Sequence, residues 1–141
     1  MSETPGGTSI IPSLWVDEIE PVRNFYIDKL GFGHMMGVVG RDGKLDTAIV
    51  QKDAAMIMLG RPSEGSALDP KARRSVDLYI YVADVDAYHA DVVRRGVRVH
   101  EPLTTQWWGD RNFQVKDPAG YVLWICQTVA EFTPPAGVTV V

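Results

Sequence analysis

The sequence predicts an α+β domain made of two tandem βαβββ units. Two observations carry this. Short runs of β-branched, aromatic and aliphatic residues surround two amphipathic helical stretches, and the order strand, helix, strand, strand, strand occurs twice. The two copies also keep one spacing. Val16 and Val82, which close the first strand of each copy, lie 66 residues apart, and the same offset carries Ala55–Leu59 onto Tyr121–Ile125. The helix-ending glycines, Gly31 and Gly96, lie 65 apart.

Ser9–Val16 reads as the opening strand, with Pro12 limiting how its backbone can pair. The acidic Asp17, Glu18 and Glu20 with Pro21 mark a helix start. Ile19, Val22, Tyr26 and Leu30 then give its apolar face, and Gly31 stops it. Phe32–Val39, Leu45–Gln51 and Ala54–Leu59 read as strands, separated by the turns at 40–43 and 52–53. The stretch 61–74, rich in Pro, Gly, Ser and charge, reads as a linker. The second copy has a strand at Val76–Val82 and a helix capped by Asp84, faced by Val85, Tyr88 and Val92, and closed by Gly96. A short strand at Val97–His100, a loop from Glu101 to Asp110, a strand at Arg111–Lys116, a turn at Asp117–Gly120 and a last strand at Tyr121–Gln127 follow. The expected layout is thus a flexible 1–8, one domain over 9–127 (units 9–60 and 75–127) and a tail over 128–141.

Composition excludes several classes. A chain of 141 residues is large enough for one hydrophobic core, and 45% apolar with 23% charged residues is ordinary for a globular domain. A net charge of −4 offers no electrostatic footprint for nucleic acid or an anionic membrane. No apolar run is long enough to span a bilayer, and the polar, Gly-rich start does not read as a secretion signal. Cys126 is the single cysteine, so neither an internal disulfide nor a cysteine-rich metal site can form. A cytoplasmic protein is the expectation.

The stretches Val16-Asp17-Glu18-Ile19, Phe25-Tyr26 and Leu30-Gly31-Phe32 resemble the opening strand and helix of the glyoxalase/bleomycin-resistance/dioxygenase family, the vicinal oxygen chelate fold. Trp108-Gly109-Asp110-Arg111, Phe113 and Asp117-Pro118-Ala119-Gly120-Tyr121 resemble its closing hairpin, in wording nearest the metal-free bleomycin-resistance proteins. The resemblance covers roughly residues 9–127. It implies a curved, mostly antiparallel sheet around a cavity, often completed at a homodimer interface. The tail, with Pro134-Pro135 and Val138–Val141, is a candidate to lie across a sheet edge of such a dimer.

Many family members hold a divalent metal with His, Gln or Glu on the first and last strands of each unit. The resemblance places those positions at Ile11, Met58, Asp77 and Trp124. One carboxylate among them is a poor site for cations that need several oxygen or nitrogen ligands. A register shift of two offers Ser13, Met56, Tyr79 and Val122, which are no better. No cofactor is therefore expected.

Strand alternation puts Trp15, Met56 and Met58 on the cavity face of the first unit. In the second it puts Asp77, Tyr79, Tyr81 and Trp124 there. Such a face suits stacking on a planar ligand, with Met adapting to irregular shape. The competing reading is a collapsed cup whose aromatics are ordinary core. Trp107 and Trp108, in a loop beside the sheet, are either a lid or packing residues. Arg111 either meets a ligand carboxylate or Asp77, or braces the loop. The turn at 117–120 needs no role beyond turn chemistry. His34, His89 and His100 show no ligand spacing, and His89 reads as solvated. The expected function is metal-independent binding or sequestration of a planar or cationic small molecule, as in antibiotic resistance. The alternative is a metal-free or unconventional glyoxalase- or dioxygenase-like enzyme in which Asp77, its pKa raised in an apolar cavity, is the general base.

Overall fold

The computed structural model of the chain describes residues 9–62 and 76–141. The expected flexible 1–8 and all but two residues of the expected linker 61–74 lie outside the described residues. The elements are β1 (Ser13–Trp15), α1 (Ile19–Asp28), β2 (Gly33–Val39), β3 (Leu45–Lys52), β4 (Ala55–Gly60), β5 (Asp77–Tyr81), α2 (Val85–Arg94), β6 (Val99–Thr105), β7 (Asp110–Lys116) and β8 (Val122–Thr128). They form two four-stranded sheets of one topology, β1-β4-β3-β2 and β5-β8-β7-β6. In each, the first strand runs parallel to the last and the remaining pairs are antiparallel. The fold is the vicinal oxygen chelate arrangement.

The 66-residue repeat holds at the level of register. Ser13 pairs Met58 and Trp15 pairs Gly60, while Tyr79 pairs Trp124 and Tyr81 pairs Cys126. The Val16 amide donates to the Gly60 carbonyl, and the Val82 amide to the Cys126 carbonyl, both at 2.8 Å. Gly31 and Gly96 both take positive φ, 80° and 85°, where a side chain would be strained. The two helix starts differ. Asp84 caps α2 by accepting from the Ala87 amide, whereas Glu18 makes no side-chain cap on α1.

Leu14, Ile57 and Leu59 in one sheet and Ile80, Leu123 and Ile125 in the other face their helices, and all six join one continuous core with Val22, Tyr26, Val85 and Val92. Polar contacts lock the units together beside it. The Tyr26 hydroxyl donates to Asp117 Oδ2 at 2.7 Å, the Tyr121 hydroxyl to the Trp15 carbonyl at 2.9 Å, and Lys29 Nζ to the Arg95 carbonyl at 2.7 Å. Asp117, read from sequence as a turn residue alone, thus has a second task. It accepts the Ala119 and Tyr121 amides within the turn and also holds Tyr26 across the units. Burial raises the pKa values of both Tyr26 and Asp117, and for Asp117 the hydrogen bonds oppose it.

Two element boundaries differ from expectation. β1 covers three residues rather than eight, because Pro12 offers no amide and only its carbonyl is used, by the Met58 amide. β6 continues to Thr105, where a loop is expected. Pro102 is accommodated because β6 is an edge strand, irregular between Glu101 and Thr104. His89 is half-buried rather than solvated, with its ring edge-on to Phe113 at 4.9 Å.

Candidate functional site

The core closes on the helix-facing side of both sheets and leaves the other faces outside it, partly exposed. On the second sheet, cross-strand register sets that open face in rows. Tyr79, Trp124 and Gln114 form one row, Tyr81, Cys126 and Asn112 the next, and Thr128 and Asp110 the last. Tyr79 and Trp124 are stacked, 4.9 Å between centroids and 8° from parallel, with Tyr79 49% exposed. The Trp124 indole N–H donates to Asp77 Oδ2 at 3.0 Å, which fixes the plane of the ring. Trp108 leans toward Trp124 at 6.5 Å. The result is a rigid aromatic shelf with one carboxylate at its edge, open to stacking by a flat molecule.

Next to the shelf lies a buried polar group. Asp110 is 5% and Asn112 1% exposed. The Tyr81 hydroxyl donates to Asp110 Oδ2 at 2.8 Å and the Thr128 hydroxyl to Oδ1 at 3.0 Å. Gln106 Nε2 donates to Asn112 Oδ1 at 3.0 Å. The hydrogen bond to Asp110 pushes the Tyr81 hydroxyl up to about 12, so it stays a donor at neutral pH. Burial, reinforced by the Asp110 charge, pushes the Cys126 thiol up to about 11, leaving an inert neutral thiol.

The open face of the first sheet is different. Trp15, 48% exposed, lies against Gly60, where a Cβ would come within 3.4 Å of the ring. Trp15, Ser13, Thr47, Met58 and Arg61 border a solvent-open concavity of about 960 Å³. Arg61 is committed to Asp42 and Asp46, at 2.8 and 2.7 Å.

Several expectations change here. Trp15, Met56 and Met58 belong to one sheet, and Asp77, Tyr79, Tyr81 and Trp124 to the other, so these residues divide into two open faces. Trp15 makes no ring contact with the Tyr79–Trp124 stack among the described residues. Asp77 is exposed and bonded to Trp124, not enclosed in an apolar cavity. Arg111 points to the helix side, because it alternates with Asp110 and Asn112 along β7. It grips Asp86 of α2 with Nε and Nη2, at 3.2 and 3.0 Å, and reaches neither Asp77 nor the shelf.

Trp107 and Trp108 sit in the tight β6–β7 turn and diverge, 5.5 Å apart and near perpendicular. Trp107 turns to Phe132 of the tail, and its carbonyl accepts the Thr133 amide. Gly109, at φ 93°, lets the tail cross the turn, since a Cβ there would lie 2.1 Å from the Ala130 carbonyl oxygen. Beyond this crossing, residues 134–141 are exposed.

Asp110, Asn112, Gln106 and Gln114 are the site residues that sequence reading missed. A signal existed for the strand members. Asp110, Asn112 and Gln114 alternate with Arg111, Phe113 and Val115, which marks a polar open face. Among the described residues, no three His, Cys, Asp or Glu side chains gather as metal ligands, and no helix is long and apolar enough to cross a membrane.

The profile of the Glyoxalase/Bleomycin resistance protein/Dioxygenase superfamily matches residues 10–125. An uncharacterised protein of Mycobacterium bovis is 30% identical over 129 residues, covering 87% of this chain and 85% of the relative. Among solved structures, TioX from Micromonospora sp. ML1 superposes with a TM-score of 0.72 at 18% identity, over 87% of this chain and all of that one. TnmS3, an antibiotic binding protein from Streptomyces sp. CB03234, superposes with a TM-score of 0.63 at 25% identity, over 86% of this chain and 97% of the other. The duplicated fold, its register and these matches together lead to one conclusion: the chain belongs to the Glyoxalase/Bleomycin resistance protein/Dioxygenase superfamily.

Proposed function

We propose that the protein binds a planar small molecule without a metal, on the shelf formed by Tyr79, Trp124 and Trp108. The observation that carries this reading is the stack itself. Two parallel aromatic rings, one half exposed and the other fixed by Asp77, cost little further ordering when a flat ligand settles on them. Asp77 at the rim favours a ligand that carries positive charge. The superposition on an antibiotic binding protein is consistent with sequestration, which needs burial and a few oriented contacts rather than a reacting group.

The shelf is open on one side, and so is the Trp15–Met58 face of the first sheet. The proposed protein is therefore a homodimer in which the first-sheet face of one copy closes over the shelf of the other. The alternative reading, Asp77 as a general base, draws no support from its position, because the carboxylate is exposed and already accepts from Trp124.

The test is a titration of dialysed protein of known metal content with flat cationic dyes and aromatic antibiotics, followed by tryptophan fluorescence. Saturable quenching at less than a tenth of an equivalent of divalent metal is the expected result. A screen without a binder, or binding that returns only with added metal, would overturn the reading. Light scattering at micromolar concentration checks the dimer, and a monomer mass would remove the second-copy lid.

A further inference from the structure

Asn112 carries the one buried side-chain polar atom without a hydrogen bond among the described residues, its Nδ2. An unpaired buried donor is costly, and native structures retain few of them. The position is not loose. Gln106 engages Oδ1 and so fixes the amide with its donor free. The group that the Asn112 amide donor reaches is the Cys126 thiol across the register, whose pKa it lowers against the stronger effect of burial; a thiol is a weak acceptor, and Nδ2 makes no hydrogen bond of ordinary geometry to it. Two residues earlier on the same strand face stands Asp110, of equal side-chain length. No Lys, Arg or His pairs with it among the described residues, although it is nearly fully buried. Its two oxygens each receive one hydroxyl and retain further acceptor capacity. An open donor and an open acceptor thus sit side by side, roughly 7 Å apart along β7. Tyr81, 57% exposed and bonded to Asp110 through its hydroxyl, is the group that must turn aside to admit a ligand.

We infer that Asp110 and Asn112 form a subsite for the carboxamide edge of a bound ligand, entered by displacing the Tyr81 hydroxyl. A carboxamide offers its carbonyl oxygen to Asn112 Nδ2 and its N–H to Asp110, each over about 2.9 Å. A carboxylate would be repelled by Asp110, and an ammonium would leave the Asn112 donor unpaired. The subsite adjoins the aromatic shelf by register, since Asn112 lies one row from Gln114 and Trp124. This assignment therefore rests on the shelf's being the ligand site, and it names which flat ligands are held there.

The test uses four probes that share one ring system: 2-naphthamide, naphthalene-2-carboxylate, 2-naphthylmethylammonium and 2-methylnaphthalene. Dissociation constants come from calorimetry on the full chain, and the Trp124 indole and Asn112 side-chain amide signals are followed by NMR. The amide should bind about tenfold tighter than the hydrocarbon, the worth of one good buried hydrogen-bond pair, and should shift the Asn112 signal. Asn112→Leu should bring the amide down to the hydrocarbon's affinity and leave the hydrocarbon unchanged. Tyr81→Phe, which frees an Asp110 oxygen, should tighten the amide severalfold.

If all four probes shift the Trp124 signal with equal affinity, or if Asn112→Leu keeps the amide preference, the subsite is wrong while the shelf stands. If none shifts Trp124, both the shelf and the subsite are overturned. Should Asn112→Leu fail to fold, Tyr81→Phe decides alone, and an unchanged amide affinity refutes the subsite.

Discussion

The two units share one strand order and one pairing scheme but present unlike open faces. Where the first sheet has Ser13 paired with Met58, the second has Tyr79 stacked on Trp124, and where the first has Trp15 over Gly60, the second has Tyr81 over Cys126. The helix-facing sides differ far less, with Leu14, Ile57 and Leu59 matched by Ile80, Leu123 and Ile125. The contrast shows which constraint acts where. A buried aliphatic face must fill a shared core at near-crystalline density, and few residue types do so. An open face has no such obligation, so duplicated strands were free to diverge into a pliable Met surface on one side and a rigid aromatic shelf on the other.

The largest expected effects fall on the side where the units agree. Leu59→Ala and Leu123→Ala, both fully buried, should each cost about 2–5 kcal/mol of unfolding free energy, measured by chemical denaturation. If one costs under about 1 kcal/mol, the two helix-side faces are not equivalent and the shared-core account breaks.

On the open faces the effect should move from stability to ligand. Trp124→Ala should weaken a flat aromatic ligand by about 1–3 kcal/mol, one to two decades in dissociation constant, with a smaller loss of stability than Leu123→Ala. Met58→Ala should weaken it less than Trp124→Ala, since Met offers contact but no stacking. A reversed order would assign the site to the first sheet. Within the shelf, Asp77→Asn should weaken cationic ligands while leaving neutral ones nearly unchanged, because size and shape persist and only charge is lost. Equal losses for both would show Asp77 to act only through Trp124.

Tyr26→Phe removes a contact that the repeat does not duplicate, since the residue 66 positions on is Val92. With Asp117 left short of a buried partner, about 1–3 kcal/mol of stability should disappear, again by denaturation. Asp117 has its pKa raised in the fold, so the native state holds its proton more tightly than the unfolded chain. That contribution favours folding below the ordinary carboxylate pKa and is lost as pH rises through the native value.

The smallest effect is alkaline. Burial and the nearby Asp110 charge push the Cys126 thiol from its ordinary 9.0 up to about 11 in the fold, so the native state resists its ionisation. Stability should therefore decline as pH rises across that window, and Cys126→Ala should flatten the decline in melting temperature. The glycine at the matching position, Gly60, offers no such dependence. An unchanged slope in Cys126→Ala would assign the decline to tyrosines such as Tyr81, which titrates at about 12 in the fold.

The duplication, both helices, most strands and the aliphatic side of each sheet were legible in the order of residues alone. Alternation, helical spacing and a fixed offset are properties of neighbours along the chain, and each unit repeats them. That order also placed Tyr79, Tyr81, Trp124 and Asp77 on one face, because their strands were read correctly. What it could not decide depended on partners far away in the chain. Arg111 faces α2 because β7 begins its alternation at Asp110, and Asp86 stands ready there to bind it. Tyr26 meets Asp117 across 91 residues, which no local pattern announces. Asn112 looks like any polar strand residue until Gln106, folded back over the β6–β7 turn, takes its carbonyl oxygen. Burial and hydrogen-bond pairing are settled by three-dimensional neighbours, so the donor left open on Asn112 was visible only once the chain had closed around it.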